Sequence, residues 1–288
     1  MISYDAGAFP WLGTIVGGYV FGIGIVMAGG CATVTWYRAG EGLIGSWIAL
    51  AAYMLTSAVM RSPHLAAFNQ QMTTYSTPHN AIDATFGLSP WPFVALLVLV
   101  TLWLAHRELK KTKLTVAALP AKKTGLAHLL FEKRWHPFAT AVLIGLIATL
   151  AWPLSIASGR HFGLGITAPS ANIVQYLVMG DDKFINWGVF LVLGIFFGAF
   201  IAAKGSGEFR LRAADDVTSV RSFAGGILMG FGATTAGGCS IGNGLVMTAM
   251  LTWQVWVGLA FMILGVWTAS WYLFVRPRRQ KTLGAASV

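Results

Sequence analysis

Charge is what this chain has least of. Lys, Arg, Asp and Glu make up 10% of its 288 residues, where a soluble domain carries about 25%. So few charges cannot coat a globule of this size, and the outer surface must meet lipid. With 56% hydrophobic residues and a mean hydropathy of +0.67, an ordinary cytoplasmic enzyme is excluded, as are disordered and collagen-like chains. Within the long apolar runs, Lys, Arg, His, Asp and Glu are missing altogether. A proton-relay carboxylate and a carboxylate-lined cation path are therefore disfavoured. Cysteine is scarce too. Cys31 and Cys239 are too few for a disulfide framework or a four-ligand metal site. The histidines, His64, His79, His106, His128, His136 and His161, are scattered without metal-ligand spacing. No metal and no cofactor are expected, and no enzyme fingerprint is present.

The net charge of +10 would suggest nucleic acid in a soluble protein. Its placement says otherwise. Arg107–Arg134 holds eight basic residues, the loop from Lys204 to Arg221 holds four, and Arg276, Arg278, Arg279 and Lys281 crowd the tail. Residues 61–87 and 158–183 hold one and two. By the positive-inside rule the three basic segments are cytoplasmic, which puts the N-terminus outside and the C-terminus inside. No nucleic-acid partner is expected. The first basic residue is Arg38, so no charged leader precedes the first apolar run and no cleavable signal peptide is expected.

Five uncharged runs, 42–60, 88–105, 137–157, 184–203 and 255–275, have the length to cross a hydrocarbon core of roughly 30 Å. Two more, 9–37 and 222–250, are glycine-rich and interrupted by one and the same tetrapeptide, Ala-Gly-Gly-Cys. Gly18, Gly22, Gly24, Ala28, Gly29, Gly30 and Cys31 recur at a fixed offset as Gly226, Gly230, Gly232, Ala236, Gly237, Gly238 and Cys239. The expected fold is an all-α polytopic membrane protein built on inverted repeats, with broken or re-entrant helices at the Gly-Gly-Cys motifs. Three divisions follow: a partial first repeat over 1–60, a loop, linking span and basic loop over 61–136, and a second repeat over 137–288.

A Gly-Gly pair inside a span frees backbone groups that hydrocarbon cannot satisfy, so it survives only where it lines a cavity or is buried in protein. A half-helix starting after each pair would aim its N–H groups and positive dipole end at the break. Such breaks at the midplane are the mark of a transporter site. The substrate-binding candidates are Cys31, Gly29, Gly30 and Ala32 at one break, and Cys239, Gly237, Gly238 and Ser240 at the other. Asn243, Gly163 and Arg38 are path-lining candidates, with helix packing or an Arg38–Glu41 ion pair as the alternatives. Gly30 and Gly238 are expected to take positive φ. Gly22, Gly24, Gly230 and Gly232 read as close-packing positions. The run from Gly159 to Pro169 is expected to be re-entrant or a short half-helix, with a plain loop as the alternative. Two soft thiols on one path suit a soft sulfur-containing anion.

The stretches from Cys31 to Gly42 and from Gly238 to Met247, with Phe162–Thr167 and Asn186–Gly194, resemble the YeeE/YedE sulfur-transport family, in particular its thiosulfate-taking YeeE branch. The resemblance implies an hourglass-like inner-membrane protein of nine spans in two inverted halves. It also implies passage of thiosulfate by transient hydrogen bonds to cysteine thiols at a constriction. A small cytoplasmic TusA-like sulfur carrier (the YeeD/TsuB type) accompanies many members. The family pattern carries a further N-terminal segment with a third cysteine; Met1 matches an internal point of that pattern, and Gly163 stands where the counterpart cysteine would fall. The expected function is inner-membrane uptake of thiosulfate or a related soft sulfur anion. A membrane thiol-redox protein and a non-transporting truncated homologue or partner subunit are the alternatives.

Overall fold

The computed structural model describes residues 8–78, 80–110, 124–131, 135–159 and 162–278. His79, Arg134, His161, Arg279 and Lys281 of the sequence reading lie outside them. The fold is all-α and polytopic, its β structure limited among the described residues to the two-residue strands β1 (Phe9–Pro10) and β2 (Ser76–Thr77) and isolated bridges. Among the described residues five helical stretches are long and apolar enough to cross a membrane: Trp11–Gly40, Trp91–Lys110, Pro137–Ala157, Trp187–Ser206 and Trp253–Arg278. Ile44–Met60 is a shorter apolar helix. The second glycine-rich span starts earlier than its apolar run, because Asp215 caps it through the Thr218 amide and Asp216 and Arg221 fill its first turns.

Glycine faces set how the central helices cross. Helix α1 (Trp11–Ala28) and α11 (Asp216–Thr235) run antiparallel: Gly17 faces Gly232 and Ala236, Gly24 faces Met229, and Gly225 faces Ala28. Helix α12 (Trp253–Ser270) runs parallel to α1, with Gly18 against Gly258 and Gly22 against Met262. Helix α3 (Ile44–Met60) runs parallel to α11, with Gly226 against Ala49 and Gly230 against Tyr53. So α1 pairs with α12 as α11 pairs with α3, and the two pairs meet head to tail. This is the contact pattern an inverted repeat requires. Backbones approach this closely because small residues leave nothing between them.

The bundle has two ends. At one, α3 finishes at Arg61 and β1 pairs with β2. At the other, Leu43 bridges to Arg212. Between α1 and α3 the short helix α2 (Ala32–Gly40) packs on α10 (Trp187–Ser206) through Gly40, which lies against Phe196 and Phe200. Described parts of the basic segments meet at the Arg212 end: Phe131 of α7 (Gly125–Phe131) lies on Gly205, Lys204 is in the last turn of α10, and the helical stretch that continues α12 to Arg278 carries Arg276. Helix α9 (Thr167–Met179) starts at mid-depth, where Thr167 meets Tyr53, and climbs to the Arg61 end, where Asn172 and Gln175 stand beside Met60 and Arg61. Residues 163–166 before it are buried, so α9 begins inside the bundle. Helices α6 (Trp91–Lys110) and α8 (Pro137–Ala157) lie outside this core with broad apolar faces exposed, including Leu99, Leu102, Leu146 and Leu150, as lipid contact demands.

Candidate functional site

Both Gly-Gly-Cys motifs break their helices in the same way. Helix α1 ends with Gly29 in the left-handed conformation (φ 77°), and the Gly30 amide reaches back to the Ile25 carbonyl at 2.9 Å. Helix α11 ends likewise before Gly237 (φ 80°). Each cysteine is then the cap of a new helix. The Cys31 carbonyl accepts from the Thr35 amide at 2.9 Å, and the Cys239 carbonyl accepts from the Asn243 amide at 2.8 Å. The second short helix is less regular, running from Ser240 through a π-helical turn at Gly242–Met247.

The left-handed residue is the first glycine of each pair, not the second as expected. A helix is closed by a left-handed residue directly after its last turn, which here is Gly29 or Gly237. Gly30 and Gly238 are required for space instead. A Cβ on Gly30 would run into Val34, and one on Gly238 would stand 2.7 Å from Asn243 Oδ1.

The second break opens on a cavity of about 330 Å³. Its walls come from three parts of the chain: Gly237, Gly238, Cys239 and Gly242 at the break, Gly165–Ala168 at the start of α9, and Arg61 with Asn69 at the rim. Arg61 and Asn69 also border a wider vestibule of about 610 Å³ at that end of the bundle. The N-terminal end of α9 borders the cavity, where its positive dipole end is felt, and Arg61 adds a full positive charge. Both features attract anions. The Arg61 guanidinium is open to the cavity but walled by protein, and this burial lowers its pKa from the ordinary arginine value; it stays charged.

The remaining candidates fall as follows. Asn243 is buried, and its side-chain amide donates to the Gly238 carbonyl at 3.2 Å, bracing the second break. Ser240 is half-buried beside Cys239. Gly163 packs against the Trp152 indole and Val246 and is not among the residues bordering the cavity. The first break lies nearer the Arg212 end. The run of contacts along α1 and α11 separates the two breaks by about 20 Å at 1.5 Å per residue. There Cys31 is half-buried and Ala32 fully buried. Arg38 donates from Nη1 to the Gly29 carbonyl at 2.6 Å, so its guanidinium braces the first break, and no Arg38–Glu41 ion pair forms among the described residues. Neither motif lines the other's cavity.

What links the two breaks is a pair of buried hydrogen bonds that the sequence reading did not contain. Tyr53 Oη donates to Thr167 Oγ1 at 2.9 Å, and Trp36 Nε1 donates to Ser170 Oγ at 2.9 Å. Tyr53 is fully buried and within electrostatic range of Cys239, Cys31 and Arg61. The signal for Arg61 was weak but present: it ends an uncharged run on the α3 face that carries Tyr53 and Ser57 at i−8 and i−4. Among the described residues no cluster of His, Cys, Asp and Glu could hold a metal.

A multi-pass helical membrane protein with broken spans around a cation-rimmed cavity belongs to the class of solute transporters. Comparison with known proteins makes this specific. The sulphur transport family model matches residues 1–268, and the chain belongs to that family. It is 70% identical over 287 residues to the thiosulfate transporter TsuA of Escherichia coli (strain K12), covering 100% of this chain and 82% of that protein. It is 34% identical over 280 residues to the thiosulfate transporter TsuA of Spirochaeta thermophila, covering 92% of this chain and 78% of that one. Both relatives are named as transporters and not as enzymes.

Proposed function

We propose that this protein takes up thiosulfate, or a related soft sulfur anion, across the inner (plasma) membrane. The observation that carries the reading is the cavity in which Arg61, the α9 N-terminus and the break holding Cys239 converge. Thiosulfate has hard sulfonate oxygens and one soft terminal sulfur. Backbone N–H groups and Arg61 suit the oxygens, and the polarisable thiols suit the sulfur. A thiol is a weak donor, so each contact is easily broken and the anion can move on. The relay runs from Cys239 to Cys31 and involves no covalent step.

On this reading the Arg61 end is external and the Arg212 end, where the basic segments collect, is cytoplasmic. The N-terminus is outside and the C-terminus inside. The inverted halves narrow hourglass-fashion between the breaks, within a partial first repeat (1–60), a linking region (61–136) and a second repeat (137–288). The delivered anion passes to a TusA-like cytoplasmic sulfur carrier. The test is uptake of labelled thiosulfate, and growth on it as sole sulfur source, in a strain lacking other uptake routes. Uptake no greater than with the empty vector, despite folded protein in the membrane, would refute the proposal.

A further inference from the structure

The hydrogen bond between Tyr53 and Thr167 joins α3 to α9 deep inside the bundle. Tyr53 stands halfway along α3, and its backbone is clamped against α11, since a Cβ on Gly230 would lie 2.8 Å from the Tyr53 carbonyl oxygen. The side chain is completely buried, and its hydroxyl crosses to α9 to reach Thr167 at 2.9 Å. Thr167 borders the cavity that holds Cys239. The titratable groups near enough to act on the phenol electrostatically are Cys239, Cys31 and Arg61. A buried phenol in an uncharged stretch is a strong neutral donor, and its bond to a threonine hydroxyl is worth less than one to an anion. Threonine both donates and accepts, so it can release the phenol and keep a partner of its own.

We propose that Tyr53 is a hydrogen-bond donor of the transport path, with its bond to Thr167 as the resting barrier. When an oxyanion leaves Cys239, the Tyr53 hydroxyl turns from Thr167 to an oxygen of that anion and hands it toward Cys31. The proton stays on the phenol throughout and no bond other than hydrogen bonds changes. This step rests on the uptake reading above, and it adds an oxygen-binding station between two sulfur-binding ones.

The experiment uses the full chain in proteoliposomes, with labelled thiosulfate as the probe. Tyr53→Phe removes one oxygen atom and keeps the ring. Equilibrium binding should stay within threefold of the parent, because the outer cavity is intact, while the maximal uptake rate per folded molecule should fall at least tenfold. Replacement of Tyr53 by 3,5-difluorotyrosine keeps the shape and acidifies the phenol. Uptake should then fail at a lower alkaline pH than in the parent, because a phenolate repels the anion, a shift that a purely packing role would not produce. Full-rate uptake by Tyr53→Phe, equal loss of binding and rate, or a parent-like pH profile with difluorotyrosine would each overturn the assignment of Tyr53 while leaving thiosulfate uptake by the parent standing. Absence of uptake by the parent would overturn both.

Discussion

Adding a single methyl group at Gly238 should disable the site without unfolding the protein. The Cβ would sit 2.7 Å from Asn243 Oδ1 and 3.2 Å from its Cγ, so the asparagine must move. Asn243 is 2% exposed, and its amide now donates to the Gly238 carbonyl at 3.2 Å. Displacing it leaves a buried amide and a carbonyl unpaired, at a cost of about 1–3 kcal/mol. If that cost falls on the geometry of the break, the apparent affinity for thiosulfate drops by roughly 5- to 140-fold, since about 1.4 kcal/mol is a factor of ten. Gly232→Ala is the contrasting change. Its Cβ would meet backbone, Phe21 N at 2.5 Å and Gly17 O at 2.6 Å, so α1 and α11 must separate and the cost falls on the fold. The assay is thiosulfate uptake per folded transporter, with melting temperature measured alongside. Gly238→Ala should raise the apparent KM with a melting temperature near the parent's, and Gly232→Ala should lower the melting temperature with near-normal uptake per surviving molecule. An unchanged KM in Gly238→Ala would refute the argument that the Asn243 brace shapes the site.

Cys239→Ser and Cys31→Ser should each strongly reduce uptake, because a hydroxyl is harder than a thiol; parent-like uptake in both would remove the thiol relay. Arg61→Gln should raise the apparent KM by about tenfold at low ionic strength, with the gap closing as salt screens the charge. A salt-independent KM ratio would show that Arg61 acts through packing alone. Single cysteines introduced at Asp182 and Lys110, with native thiols left in place as background, should behave oppositely toward an impermeant reagent in intact cells. Position 182 is labelled and position 110 protected; the reverse pattern would invert the assigned orientation.

The fold was legible where the sequence repeats itself. Cys31 and Cys239 marked the helix breaks because the same Ala-Gly-Gly-Cys recurs at both, whereas the pairs Gly17-Gly18 and Gly225-Gly226 stay helical and serve packing. Gly22, Gly24, Gly230 and Gly232 read as contact positions, and each faces the backbone of a neighbouring helix. Which glycine carries the left-handed turn was not legible. That depends on where the last helical hydrogen bond falls, and two adjacent glycines offer no sequence signal to choose between them. The cavity was less legible still. Arg61, Thr167 and Cys239 are far apart in sequence, and only the crossing of α3, α9 and α11 brings them together. Read singly, Arg61 is the lone basic residue of a loop and Tyr53 an apolar filler. Their polar roles arise from partners that no local pattern predicts.

The distribution of charge fits what the proposed uptake of an anion needs. Arg61 stands at the rim of the cavity at the second break, and Arg38 grips the carbonyl of the first break. Between them the described path offers thiols, a phenol, a threonine hydroxyl and backbone amides, none of them charged. A full cation at mid-depth would face an anion across a low-dielectric gap, where attraction is many times stronger than in water. The anion would then enter and not leave. Conduction needs binding favourable enough for entry and weak enough for release, and that condition places the arginines at the two mouths. It also explains why the breaks are braced differently. The second break is held by the neutral amide of Asn243, which leaves the field of Arg61 to the cavity, whereas the guanidinium of Arg38 is engaged by the Gly29 carbonyl and its attraction for a departing anion is correspondingly reduced.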